Sequence, residues 1–363
     1  MAGVIRKFSR IVNAITDDIL SGRYIPLGAI PGERALMERF GAARETVRKA
    51  LDELDRQGMI YRRPGRATIV SDRVVGARTK IGVMISGCMY TEIFRAVCDA
   101  VGRLADREHV QVVRGDASRR DYDQSGEMAY RVAKALVKSG IRGVILQPVQ
   151  FSAAADEINR NLVRIFADAG VSVVLIDCDV VRMPSRGEFD LVGIDNFSAG
   201  RIAAEHVIAQ GAERIAFLAR RGCADTVHER WHGVRSVSDR VAVVGAYLDS
   251  FSDYEHVRSE LLGLPSVDAV ICQNDIAAMN VMTVLRQMGK RVPGDVMVMG
   301  FDDVVLASKA KPGLTSIHQP CDDIAEQAFR RLLARIENPL LQPVRIQCRE
   351  KLVVRGSTER TWR

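Results

Sequence analysis

The segment AVICQNDIAAMNVMTVLRQMGKRVPGDVMVMGFDD, residues 269–303, decides the fold. A continuous apolar run, AVICQND, leads into a helical stretch. A second run, VMVMGFDD, closes the unit on two carboxylates. Apolar strands joined by helical segments of about ten to twenty residues imply a parallel sheet covered on both faces. The same alternation runs upstream through IGVMIS (81–86), VQVVRG (110–115), GVILQPV (143–149), VSVVLIDCD (171–179), LVGID (191–195), IAFLA (215–219) and VAVVGAYL (241–248). Nine such strands suit two doubly wound α/β lobes better than one. No solenoid period is present.

Residues 1–70 follow a different pattern. Phe8, Ile11, Val12, Ile15 and Ile19 recur at the spacing of one helical face. A loop runs from Pro26 to Pro31. A short second helix starts near Gly32-Glu33 and buries Leu36, Met37 and Phe40, and Gly41 turns the chain. A third helix, about 43–57, turns Val47, Ala50, Leu51 and Leu54 inward. The runs 59–63 and 67–70 then flank Pro64-Gly65-Arg66, a hairpin signature. The polar stretch 71–80 reads as a linker, so the expected domains are 1–70, the linker 71–80, and 81–363.

The chain has 363 residues, 52 Lys and Arg against 45 Asp and Glu, and a net charge of +7. The first 73 residues hold 14 basic against 9 acidic side chains, so one fifth of the chain carries most of the positive excess. That points to a polyanion partner for the N-terminal part. The 47% apolar content excludes wholesale disorder. No window approaches the roughly 18 uninterrupted apolar residues of a membrane span. No secretory apolar region opens the chain, so a cytoplasmic protein is expected. The seven cysteines form no CxxC pair, and read as small buried hydrophobes in a reducing compartment. No nucleophile elbow, P-loop or G-x-G-x-x-G is present, and no cofactor is implied.

The third helix places Arg44 and Arg48 four apart on one face, opposite its apolar stripe. An arginine fork can reach guanine O6 and N7 together, or clamp a phosphate. Thr46 suits a phosphate or a thymine methyl. Glu45 either accepts from a cytosine amino group or sits as a solvated helix charge. The hairpin tip would supply a basic wing, where Gly65 permits close backbone approach to a groove. Helix periodicity alone also fits a small dimerisation domain with a solvated basic face.

The run ILSGRYIPLGAIPGERALMERFGAARETVRKALDELDRQGMIYRRPGRATIV, residues 19–70, resembles the winged helix-turn-helix of the GntR family. The resemblance implies that Arg34, Arg44, Thr46 and Arg48 face DNA, and that Gly65 and Arg66 belong to a minor-groove wing. Four positions depart from the family pattern. Gly32 and Ala43 replace helix-capping Ser or Thr, and Leu27 and Ala67 replace glycines.

Ligands of α/β sheets sit at the carboxyl ends of strands. Those ends carry Asp177, Asp179, Asp195, Asn196, Gln273 to Asp275, Asp302 and Asp303. Carboxylates and amides suit sugar hydroxyls, although strand-end Asp residues also cap helices. The stretches 192–218, 269–303 and LTSIHQP (314–320) resemble the periplasmic-binding-protein-like effector domain of the LacI/GalR family. That resemblance implies effector contacts at Asp177, Arg230, Asn274, Asp302 and Gln319. Asp275 would cap a helix or line the hinge side. The family's Asn-Pro-Phe after the first strand is replaced by GCMYTEIF (87–94), in which Tyr90 is the candidate to stack on a sugar. The segment after Arg230 is about a dozen residues shorter than in the family, which leaves a reshaped or a vestigial pocket.

A GntR-type head on a LacI-type domain is the architecture of AraR-type arabinose-responsive repressors. The resemblance implies a DNA-binding regulator rather than an enzyme. The expected protein is a homodimeric repressor on a palindromic operator, controlled by a small polar effector, most simply a sugar. A competing reading comes from His228-Glu229-Arg230-Trp231-His232, which satisfies the zinc-peptidase pattern H-E-x-x-H. It lacks a third ligand at suitable spacing, so no metal is expected.

Overall fold

Ile11, Ile15 and Ile19, four apart, turn one face of helix α1 (Ala2–Leu20) into a buried core. Leu36 of α2 (Glu33–Phe40) and Val47, Ala50, Leu51 and Leu54 of α3 (Arg44–Arg56) close that core. Gly41 ends α2 in the left-handed region, at φ 55°. The two-residue strands β1 (Ile60–Tyr61) and β2 (Ile69–Val70) pair antiparallel, Ile60 opposite Val70, as the hairpin signature predicts. The structure, a computed structural model, describes residues 2–20, 23–25, 27–62, 67–71, 79–85, 91–115, 126–150, 152, 154–181 and 185–359. The hairpin tip with Gly65 and Arg66, most of the expected linker, and Tyr90 lie outside the described residues. By contact the chain divides into two units, residues 1–81 with 102–113 and residues 82–101 with 114–363.

Two departures noted in the sequence have structural counterparts. Neither Gly32 nor Ala43 gives α2 or α3 a side-chain cap. Leu27, standing where the family has a loop glycine, adopts φ 60°. A Cβ in that region costs roughly 1–2 kcal/mol, and the exposed Leu27 side chain recovers little of it by burial.

The rest of the chain forms two six-stranded sheets with helices between the strands. The first contains β3 (Lys80–Met84), β4 (Gln111–Gly115), β5 (Gly143–Leu146), β6 (Ser172–Ile176), β7 (Asp190–Gly193) and β13 (Arg345–Gln347), in the order β13-β7-β6-β5-β3-β4. The second contains β8 (Arg214–Arg220), β9 (Ala242–Leu248), β10 (Ala269–Cys272), β11 (Met297–Asp302), β12 (Thr315–His318) and β14 (Lys351–Val353), in the order β14-β12-β11-β10-β8-β9. β8 to β12 run parallel, and β14 is antiparallel to β12. All nine strands read from the sequence are present. β12, β13 and β14 are additional.

The connecting helices are α4 (Glu92–Arg107), α5 (Glu127–Lys138), α6 (Ala155–Asp168), α7 (Asn196–Ala209), α8 (Asp225–Arg235), α9 (Tyr254–Gly263), α10 (Asp275–Gln287), α11 (Val305–Lys309) and α12 (Cys321–Glu337). The chain passes between the lobes at three places: from β7 into α7, from β12 into α12, and from β13 to β14. Asp190, fully buried in β7, pairs with Arg331 and Arg335 of α12 and so ties that helix to the first lobe. Among the described residues six cysteines are free, and five of them are buried. Among the described residues no helix is long and apolar enough to cross a membrane.

Two features of the second lobe set the site. Helices α7 and α8 cross with their backbones almost in contact. A Cβ on Gly200 would lie 2.0 Å from the carbonyl oxygen of Arg230, and one on Gly233 would lie 2.0 Å from that of Phe197. Buried Asp275, at the start of α10, takes the Ser316 hydroxyl at 2.6 Å and the Val304 amide at 2.9 Å. It thereby fastens β12 and the start of α11 to α10.

Burial pushes the Asp275 carboxyl up from 3.8 to about 8, and the neighbouring Asp302 carboxylate adds to the rise. The native state therefore holds a proton that the unfolded chain releases. Stability from this group is complete below 3.8 and is lost as pH rises to about 8. Melting temperatures measured from pH 4 to 8 are expected to fall along that window, and Asp275→Asn is expected to flatten the upper part of the slope. In the head, Leu27→Gly is expected to raise stability by about 1 kcal/mol, read by urea unfolding, because glycine removes the Cβ strain.

Candidate functional site

Arg230 is the centre of the cleft between the lobes. The glycine crossing brings α8 against α7, and the side chain is left 4% exposed. Its Nε donates to Asn196 Oδ1 at 2.9 Å, and its Nη1 donates to the Gln273 carbonyl at 2.7 Å. The guanidinium lies 4.7 Å over the Phe301 ring and 3.9 Å from Asp302 Oδ1. A buried arginine needs this full set of partners.

The strand ends supply the rest. Asp302 ends β11 at φ 108° and accepts from Gln319 Nε2 at 2.7 Å. Burial raises its carboxyl to about 6, against the opposing pull of Arg230 and the Gln319 hydrogen bond. Asp177 follows β6 at φ 70° and accepts from Gln150 Nε2 at 2.8 Å. Burial raises it too, while Gln150, Arg230 and Gln147 oppose the rise. Two aspartates held in the left-handed region at one cleft are the kind of backbone strain that accompanies a site. Four of the six expected effector residues thus interact around one centre, and Tyr90 lies outside the described residues. The remaining one, Asn274, lies beside Gln273, and its side-chain Oδ1 caps α10 by accepting from Ala277 N at 2.9 Å.

The other strand-end carboxylates are structural. Asp195 caps α7 through Ser198 N. Asp179 accepts from the amides of Val180, Val181 and Gly187. Asp303 pairs with Arg355 at 2.7 Å and with His318 at 3.1 Å.

Asn196, read from the sequence as a strand-end amide, orients Arg230. Two residues at the site escaped the sequence reading: Gln150 supports Asp177, and Gln147 is buried with an Oε1 that meets no donor among the described residues. Gln147 and Gln150 follow β5, so the strand-end criterion would have found them.

His228 to His232 lie on helix α8, and the residues between the two histidines are engaged elsewhere. Glu229 faces Arg345 at 3.6 Å, Arg230 is taken up in the cleft, and Trp231 stacks on Phe217 at 5.5 Å. Among the described residues, no cluster of three or more His, Cys, Asp or Glu is placed to hold a metal ion.

On the head, α3 has a divided face: Arg44 and Arg48 are well exposed, Thr46 is half-buried, and the opposite face is core. Arg34, on α2, is also well exposed. Glu33, also missed in the sequence, gathers three arginines. Arg44 Nε lies at 3.0 Å, Arg62 Nη2 at 3.0 Å and Arg48 Nε at 3.7 Å. Glu45 pairs with Lys49 at 3.1 Å, as a solvated helix charge would.

Residues 7–70 match the family of bacterial regulatory proteins described as gntR, and residues 204–358 match the periplasmic binding protein-like domain. The chain is 27% identical to the arabinose metabolism transcriptional repressor of Geobacillus stearothermophilus, over 97% of this chain and 98% of that one. It is 35% identical to the transcriptional regulator CelR of Thermobifida fusca, over 46% of this chain and 51% of that one. Among solved structures, a CelR–cellobiose complex matches with a TM-score of 0.63 and 26% identity, covering 86% of this chain and 90% of that chain. A LacI family regulator from Enterococcus faecalis V583 with bound ribose shares the fold, with a TM-score of 0.64 and 21% identity over 77% of this chain and 98% of that one. These relatives are regulators, and they lend the zinc-peptidase reading no support. The chain is a transcriptional regulator that joins a gntR-family helix-turn-helix head to a periplasmic binding protein-like domain.

Proposed function

We propose that this regulator is a sugar-controlled repressor that binds a palindromic operator as a homodimer in the cytoplasm. The observation that carries the sugar reading is the Arg230–Asp302–Gln319 network facing Asp177 and Gln150 in one cleft. It is dense in paired acceptors and donors, which suits vicinal hydroxyls. The buried Gln147 Oε1 supports the same reading, since an unmet acceptor costs about 1–3 kcal/mol and a ligand hydroxyl would answer it. Full-length similarity to arabinose repressors adds to it.

Two heads of a dimer would place two α3 helices in successive major grooves of a two-fold site. Arg44 and Arg48 would read bases, Thr46 and Arg34 would contact the backbone, and Gly65 and Arg66 would enter the minor groove. Ile276, Val305 and Leu306 are each about half exposed at the adjoining starts of α10 and α11, and offer an apolar surface to the second copy. Effector binding would favour one closure state of the lobes and so change the operator affinity of the heads.

Arg48→Ala is expected to weaken operator binding by about 1–3 kcal/mol in fluorescence anisotropy, with the sugar response of the body retained. Unchanged affinity would remove Arg48 from the reading face. Arg230→Ala is expected to abolish sugar-induced release from the operator while the sugar-free protein still binds DNA. Full inducibility of that variant would refute the pocket.

A further inference from the structure

Beyond the Arg230–Asp302 network the cleft continues into a cavity of about 290 Å³. None of Asp177, Arg230, Asn274, Asp302 and Gln319 lines it. Both lobes contribute: Gln150, Ala155 and Cys178 from the first, and Cys223, Ala224 and His228 from the second. Gln150 links the two compartments, because its Nε2 donates to Asp177 Oδ2 at 2.8 Å and reaches Cys178 Sγ at 2.9 Å.

The lining has a definite chemistry. Val149, Val180 and Val181 add apolar wall. Burial raises the Cys178 thiol well above its ordinary range and the Cys223 thiol to about 11, so both are neutral. Among the described residues the charged lining is Asp156, Asp179 and Asp225, with no lysine or arginine. A phosphate or carboxylate entering here would meet these three carboxylates. A sugar ring is matched, since its C–H face suits the valines and alanines and its hydroxyls suit acceptors.

We propose that this cavity is a second subsite, which takes an additional uncharged sugar ring joined to the one held beside Arg230 and Asp302. The effector is then a disaccharide or a glycoside rather than a single ring. The proposal rests on the sugar-effector reading given above. The volume is close to the lower end of ordinary ligand sites, about 300–1,000 Å³, and suits one added ring rather than a long oligomer.

Titration calorimetry on the full-length chain with glucose and xylose against cellobiose and xylobiose tests it. At least one disaccharide is expected to bind about tenfold or more tightly than its own monosaccharide, a gap of about 1.4 kcal/mol. Ala224→Leu and His228→Trp each add bulk to the cavity from the second lobe. Either is expected to weaken the disaccharide about tenfold, within the usual range for overpacking, and to leave any monosaccharide binding unchanged. Operator binding and thermal melting establish that each variant is folded. A monosaccharide that binds as tightly as its disaccharide overturns the second subsite and leaves the sugar reading standing. So does wild-type disaccharide affinity in both folded variants. Binding of neither class, with operator binding intact, overturns the sugar reading and the subsite with it.

Discussion

A guanidinium removed from water has to be compensated on every side, and the second lobe is arranged around that requirement at Arg230. Asn196 and the Gln273 carbonyl take its Nε and Nη1, Phe301 lies beneath its plane, and Asp302 supplies the nearby negative charge. The four partners come from three places in the lobe, so the side chain records the relative positions of α7, the end of β10 and β11. The two glycines at the α7–α8 crossing are the backbone condition for this, because any side chain at Gly200 or Gly233 would push α8 away. The carboxyls around the arginine are raised above the ordinary aspartate range for the same reason. Burial penalises their charge more than one guanidinium can repay.

The head obeys the opposite rule. Arg44 and Arg48 are exposed, and their pairs with Glu33 sit close to water, where such contacts contribute little. Glu33 gathers Arg44 and Arg48 on one exposed face of the head without binding them firmly. The fixed part of the head is the apolar core under α1, α2 and α3. The chain therefore keeps one arginine locked in a buried network and several loosely held at the surface of the head.

The parallel lobes were legible because strands buried on both faces must be apolar throughout, as in IGVMIS and AVICQND. β12 was not, since Thr315, Ser316 and His318 are polar residues whose partners, Asp275, Ser357, Thr358 and Asp303, lie far away in sequence. β13 and β14 are three-residue edge strands with no period to read. The cleft residues were legible by family resemblance, and four of them do interact. The local use of Asn274 as a helix cap was hidden, because a strand-end amide serves a helix or a ligand equally well. The Glu33 cluster was invisible for a related reason: three arginines from two elements converge on it with no common spacing.

The threading of the chain through both sheets also has a consequence for biosynthesis. Strand β13, laid beside β7, and α12, fastened to Asp190, come from residues 321–347, yet they complete the first lobe. The head has all of its core by residue 70 and can acquire its structure while the ribosome is still at work. The first lobe must wait for nearly the whole polypeptide, with the outer side of β7 unpaired meanwhile. A chain cut short near its end would thus carry a finished DNA-binding head on a body with an open sheet edge, the kind of surface that seeds aggregation.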